Sequence, residues 1–175
     1  MLRKHKIMAA VAFVILICGV IYLYRMMFPR YKVADKEAAT AFVLEHQTEL
    51  NELVSHMKEE YEKEKRENKI LLIERSEFAT YSFLNDFKWL EKYRIVFIAI
   101  DKSDGPYKVD ILFADSPSGY EYFSIYFSEN DEPLGWGDGS ELKEEKEGFF
   151  VQRGSYYILE TEKITDHWYY YQCRT

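Results

Sequence analysis

Cysteine, histidine and proline are scarce: two, four and four in 175 residues. Cys18 and Cys173 make no C-x-x-C pair, which excludes a disulfide framework and a thiolate-rich zinc site. His46 and His56 fall on one predicted helix about 15 Å apart at ~1.5 Å of rise per residue, too far to share a metal. There is no H-E-x-x-H, no G-x-S-x-G and no S-x-x-K. The glycines of Gly135-Trp136-Gly137-Asp138-Gly139 have no lysine after them and no helix to follow, so they do not cradle phosphate. Asp101-Lys102-Ser103-Asp104-Gly105 turns at once into Pro106, which denies it the geometry of a calcium loop. No cofactor fingerprint and no catalytic constellation emerge, and the expectation is a protein that is not an enzyme.

Basic charge is also in short supply. The chain holds 23 Lys and Arg against 30 Asp and Glu, a net charge of −7. Nucleic acid wants clustered cations, so it is not an expected partner. The acidic loop Glu129–Glu141 gathers Glu129, Asp131, Glu132, Asp138 and Glu141, oxygens that calcium accepts but that solubility also explains.

What the N-terminus does have is a long uncharged run, Ile7 to Tyr24, preceded by Arg3, Lys4 and Lys6 and followed by Arg25. As a helix it spans about 27 Å, close to the ~30 Å hydrocarbon core of a bilayer. A cleavable signal peptide has a shorter apolar region and small residues at its exit; here the exit is Tyr22-Leu23-Tyr24-Arg25. A lipobox wants a small residue before its cysteine, and Ile17 precedes Cys18. The run therefore reads as an uncleaved anchor whose partner is the lipid bilayer. Residues 1–27 form a short cytoplasmic tail and the span, and residues 28–175 a single extracytoplasmic domain. Cations flank the run on both sides, so charge alone does not choose the orientation; the short leading tail does.

Within the domain, Asp35 to Asn68 carries Ala39, Phe42, His46, Leu50, Leu53, Met57 and Tyr61 at steps of three and four, the stripe of an amphipathic helix capped by Asp35. The segment 70–93 is less legible, with a short strand at Ile70–Ile73 and helical spacing from Ser76 to Tyr93. From Arg94 the period becomes two. Strands follow at Arg94–Ile100, Lys108–Ala114, Tyr120–Phe127, Phe149–Gln152, Tyr156–Glu162 and Trp168–Cys173, separated by turn residues. The predicted fold is α+β: transmembrane helix, long helix over about 35–68, then a curved antiparallel meander over about 94–173. Cys173 reads as an inert, half-buried residue on the last strand.

The residues Ser116-Pro117-Ser118-Gly119-Tyr120, Tyr126-Phe127-Ser128, Asp131-Glu132-Pro133-Leu134, Gly148-Phe149-Phe150, Tyr157, Thr161-Glu162-Lys163-Ile164 and Trp168-Tyr169-Tyr170-Tyr171 occur in that order. In this C-terminal half the chain resembles a group of small single-span membrane proteins of unknown function from Gram-positive anaerobes, which carry Trp where Phe150 stands. The resemblance implies the architecture and an envelope location only.

Aromatics are abundant, with 15 Tyr and three Trp. Tyr120, Tyr122 and Tyr126 share one face of their strand, beside Tyr169 and Tyr171 of the last strand, and Trp136 sits in the glycine loop. These residues with Trp168 form the candidate binding surface, for an envelope protein or a glycan. The expected role is a membrane-anchored, non-catalytic envelope domain. A pilin-like subunit and an envelope hydrolase of lipoprotein type are the alternatives. The first lacks the acidic residue such subunits carry early in the apolar run; the second requires convergence among Glu129, Asp131, Asp138, Glu141 and His167.

Overall fold

The computed structural model describes residues 17, 35–63, 70–103, 105–113, 121–135 and 141–175. The chain divides into two compact units, Met1–Tyr31 and Lys32–Thr175, and the second holds the sheet and the helix packed on it. The apolar run Ile7–Tyr24 lies outside the described residues apart from Ile17. Among the described residues, no helix is long and apolar enough to cross a membrane.

Helix α1, Lys36–Lys63, starts where Asp35 accepts the Ala38 amide at 2.8 Å, the cap its sequence announces. Ala39, Phe42, Val43, Leu50, Leu53, Val54 and Met57 are buried on one side, so the three-and-four spacing marks the packed face. The helix is kinked at His46 (φ −113°, ψ 16°). The His46 ring leaves the stripe's apolar pattern there, taking Glu49 Oε2 on Nδ1 at 2.6 Å and lying against Phe42.

Eight strands follow: β1 Ile70–Glu74, β2 Ile95–Asp101, β3 Lys108–Phe113, β4 Glu121–Ser128, β5 Leu142–Lys146, β6 Phe149–Arg153, β7 Ile158–Thr165 and β8 Trp168–Arg174. All pair antiparallel in one sheet of order β1-β2-β3-β4-β8-β7-β6-β5. The expected α+β class holds. The single meander does not. Two four-stranded meanders are joined through β4 and β8, so the last strand lies mid-sheet and β5 ends at an edge. Register Ile125↔Tyr170 and Phe127↔Trp168 makes that join, placing large side chains side by side on the helix-facing surface. The sheet also begins earlier than residue 94, because β1 pairs with β2 from Ile70↔Asp101 to Glu74↔Phe97.

Between β1 and β2 the chain forms two 3₁₀ segments, Arg75–Thr80 and Ser82–Asp86, and one α turn, α2, Trp89–Lys92. A continuous helix is not formed over 76–93. Instead Arg75 Nη1 donates to the carbonyls of Leu90 (3.2 Å) and Tyr93 (3.1 Å), drawing the two ends together. This brings Trp89 and Tyr93 to Phe42, with ring centroids 5.2 and 4.7 Å apart. The core is thus one layer between α1 and the sheet: Leu71, Ile73, Ile95, Ile98, Ile100, Val109, Ile111, Phe113, Phe123 and Ile125 point into it. Alternate residues of the same strands form the opposite face of the sheet, on which no helix lies among the described residues.

Candidate functional site

On that opposite face, alternation puts Ile70, Leu72, Phe97, Ala99, Asp101, Lys108, Asp110, Tyr126 and Tyr171 side by side. After β4 the chain folds back over the β4-β8-β7-β6 half. The Tyr169 hydroxyl donates to the Asp131 carbonyl at 2.7 Å, the Leu134 amide donates to Tyr126 Oη at 3.0 Å, and Gly135 lies against Gln152. A Cβ at Gly135 would come within 2.9 Å of Gln152 Oε1, so glycine permits the close approach. The β1-β2-β3 half is left open. Between the two halves lies a cavity of about 330 Å³ walled by Ile70, Leu72, Phe97, Ala99, Leu134 and Leu159. That volume falls within the roughly 300–1,000 Å³ range of small-molecule pockets. Ile70 and Leu72 at its mouth are 47% and 41% exposed, an unusual state for two leucine-sized side chains on one short strand.

Asp110 lies at the cavity floor, paired in register with Ala99 on one side and Tyr126 on the other. It keeps part of its own surface, as a cavity-lining residue must, while protein closes around the carboxyl elsewhere. Ser124 Oγ donates to Oδ1, and Tyr171 Oη donates to Oδ2 at 3.3 Å. Burial outweighs these bonds and pushes the carboxyl up to about pKa 6. Its partners are hydroxyls and backbone, and among the described residues no cation is one of the groups that set its titration. Burial, and then the charge of Asp110, raises the Tyr171 phenol.

A relay of hydrogen bonds forms the neighbouring wall. The Leu134 N–H donates to Tyr126 Oη, Tyr126 pairs with Thr161 Oγ1 at 2.8 Å, and Thr161 donates to the Tyr170 carbonyl at 2.9 Å. Because the Thr161 proton is engaged with the carbonyl, Tyr126 is the donor to Thr161. Burial pushes the Tyr126 phenol up to about 12.

The structure does bring Tyr126, Tyr169 and Tyr171 together, with Tyr126 and Tyr169 stacked at 5.1 Å and 9°. They are not a water-facing patch, however. Tyr126 and Tyr169 are buried and their hydroxyls bond within the protein. Tyr122, half-buried on the same face, pairs in register with Cys173. Trp168 is on the other side of the sheet, fully buried beneath α1, with Nε1 donating to Asn51 Oδ1 at 3.0 Å. It anchors the helix and offers no surface to a partner. Tyr120 and Trp136 lie outside the described residues. The sequence does not single out Asp110, because one acid in Lys108-Val109-Asp110-Ile111-Leu112-Phe113 reads as an outward residue of a strand; the cavity walls around it come from other segments.

The acidic loop is engaged internally. Glu129 binds Lys58 Nζ at 2.6 Å and the Tyr107 amide at 2.9 Å, which holds its carboxyl low. Burial would raise Asp131, but Lys163 at 2.6 Å, the His167 amide at 2.8 Å and the Tyr169 hydroxyl win and lower it. Glu132 takes Asn130, and Glu141 lies 3.4 Å from Lys143. Asp138 lies outside the described residues. Among the described residues, no group of three or more His, Cys, Asp or Glu converges as a metal site would. Asp131 and His167 do meet, both at positive φ, as the clasp between two turns: the His167 ring stacks on Phe127 and its Nδ1 lies 2.9 Å from the Ser128 carbonyl.

A second hollow, among the 3₁₀ segments, is lined by Arg75, Leu84 and Glu91. Its guanidinium is engaged with two carbonyls, which leaves the open-face cavity as the stronger candidate. No protein-family model, no curated protein and no solved structure matches the chain.

Proposed function

We propose that this chain is a membrane-tethered, non-catalytic binding domain whose seat is the open-face cavity, and that its partner is a component of the cell envelope, a protein or a polymer. The observation that carries the reading is the cavity itself: an apolar hollow with a few convergent polar groups at its floor. The tether rests on the apolar run Ile7–Tyr24 with its flanking cations. The resemblance of the C-terminal half to small single-span envelope proteins supports the same location. In this reading the tyrosines shape the cavity wall, and the contact surface is Ile70, Leu72 and Phe97 at its mouth.

The test uses the full chain in lipid nanodiscs with labelled Ile and Leu methyl groups. Envelope peptides and oligosaccharides are expected to shift Ile70, Leu72 and Leu159, and Ala99→Phe, which fills the cavity between Leu72 and Asp110, is expected to abolish the shifts. Binding that survives Ala99→Phe places the seat elsewhere. Release of the chain from membranes by alkaline carbonate removes the tether.

A further inference from the structure

An enclosed carboxylate without a counter-ion, at the bottom of an apolar hollow, is an arrangement that costs stability unless something else uses it. Among the described residues Asp110 has this arrangement: it is open only toward the cavity, and no cation is one of the groups that set its titration. Ser124 donates to Oδ1, Tyr171 makes a long bond to Oδ2, and the Ile111 backbone also bonds the carboxyl. A carboxylate offers about four lone-pair sites, so acceptor capacity remains on the cavity side. The walls above it, Leu72, Phe97, Ala99 and Leu159, suit a hydrocarbon stem. Lys108 and Asp101, neighbours in register, also line the cavity; their formal charges are opposite, so with Asp110 the charged residues of the lining sum to −1.

We propose that the cavity receives an alkylammonium group, its hydrocarbon stem between Leu72, Phe97 and Leu159 and its cationic head on the Asp110 carboxylate. This rests on the cavity being the binding seat. The head makes a charge-assisted hydrogen bond to Oδ2 at the floor, and the alkyl stem covers apolar wall that otherwise meets water. Such a group is carried by a lysine side chain of a polypeptide or by a free alkylamine, which share this chemistry. A neutral alcohol of the same length gains the wall contacts but not the ion pair.

The test is a methyl-detected titration of the full chain in nanodiscs with hexylammonium, with hexanol, and with a capped Leu-Lys-Leu tripeptide. At about pH 8, hexylammonium is expected to bind at least about tenfold more tightly than hexanol, in line with one charge-assisted bond in an enclosed site. Lowering the pH to about 4.5 protonates Asp110 and is expected to weaken hexylammonium, but not hexanol, by about tenfold or more. The other charged or titratable groups facing the site are Asp101 on β2, Lys108 on β3, Tyr126 on β4 and Tyr171 on β8. Asp110→Asn, nearly isosteric, separates its titration from theirs and is expected to bring hexylammonium down to the level of hexanol. Tighter tripeptide than hexylammonium assigns the head to a polypeptide lysine; the reverse assigns it to a free amine. Equal binding of alcohol and ammonium overturns the cation while leaving the cavity as a seat. Absence of any methyl shift with all three overturns both. Because the pH comparison uses the unaltered chain, the answer does not depend on the variant folding.

Discussion

Tyr171 reaches Asp110 from two strands away, its phenol 3.3 Å from Oδ2 across the intervening β4. Together with Ser124 it supplies donors to a carboxyl that burial nonetheless raises from 3.8 to about 6. A carboxyl raised on folding contributes stability that is complete below the unfolded value and is lost as the pH climbs through the folded one. Asp110 therefore weakens the fold between about pH 4 and pH 6 and remains a burden above. Asp110→Asn keeps the shape and removes the charge. Urea unfolding at about pH 8 is expected to show the variant more stable by about 1–3 kcal/mol, with the gain vanishing near pH 4. A pH-independent difference would place the raised titration elsewhere.

The relay Leu134–Tyr126–Thr161–Tyr170 fastens the returning segment to the sheet and thereby makes the cavity's second wall. Tyr126→Phe removes one hydroxyl and leaves the Leu134 amide and the Thr161 oxygen without their partner. The expected loss is about 1–3 kcal/mol in global stability. Amide exchange at Leu134 is expected to rise more than exchange at Ile111, a core residue of the interior strand β3. Equal changes at both sites would show that the segment has no local stability of its own.

Trp168 and Asn51 hold α1 to the sheet through one bond of 3.0 Å. Asn51 is exposed, so water can replace it, and Asn51→Ala is expected to cost about 1 kcal/mol. Trp168→Ala empties a fully buried site and is expected to cost about 3–5 kcal/mol. Denaturant midpoints with unchanged slopes check both values.

The helix stripe and the period-two strands were legible because each reports local geometry: every third or fourth residue from Ala39 to Met57 turned inward, apart from the half-buried His46 at the kink. The strand order was not. Nothing near β4 specifies β8 as its neighbour; the match of Phe127 with Trp168 and of Ile125 with Tyr170 becomes visible only across the sheet. The period of two shows the shared face of Tyr126 and Tyr122 but not the solvent exposure of the open-face tyrosines, for one reason. Asp131-Glu132-Pro133-Leu134-Gly135 reads as a turn, yet it lies down on Tyr126 and Tyr169. Asp110 shares that cause: its enclosure is assembled from segments distant in sequence, which no local period records.

Cys173 is fully buried on the open-face side of β8, in register with Tyr122 and Leu159, and burial raises its thiol. The sequence suggested a half-buried thiol; the structure closes it off. An impermeant maleimide is expected to leave it untouched in the folded chain and to label it in urea. It therefore cannot report which side of a membrane the domain occupies. Tyr156 can, since it is 90% exposed in the turn between β6 and β7. In a Cys173→Ser background, Tyr156→Cys is expected to react in whole cells with the impermeant reagent if the domain is outside, and only after lysis if it is inside. Rapid labelling in intact cells supports the extracytoplasmic assignment. Protection that is lifted by lysis reverses it, and with it the pool of lysines and amines available to the cavity.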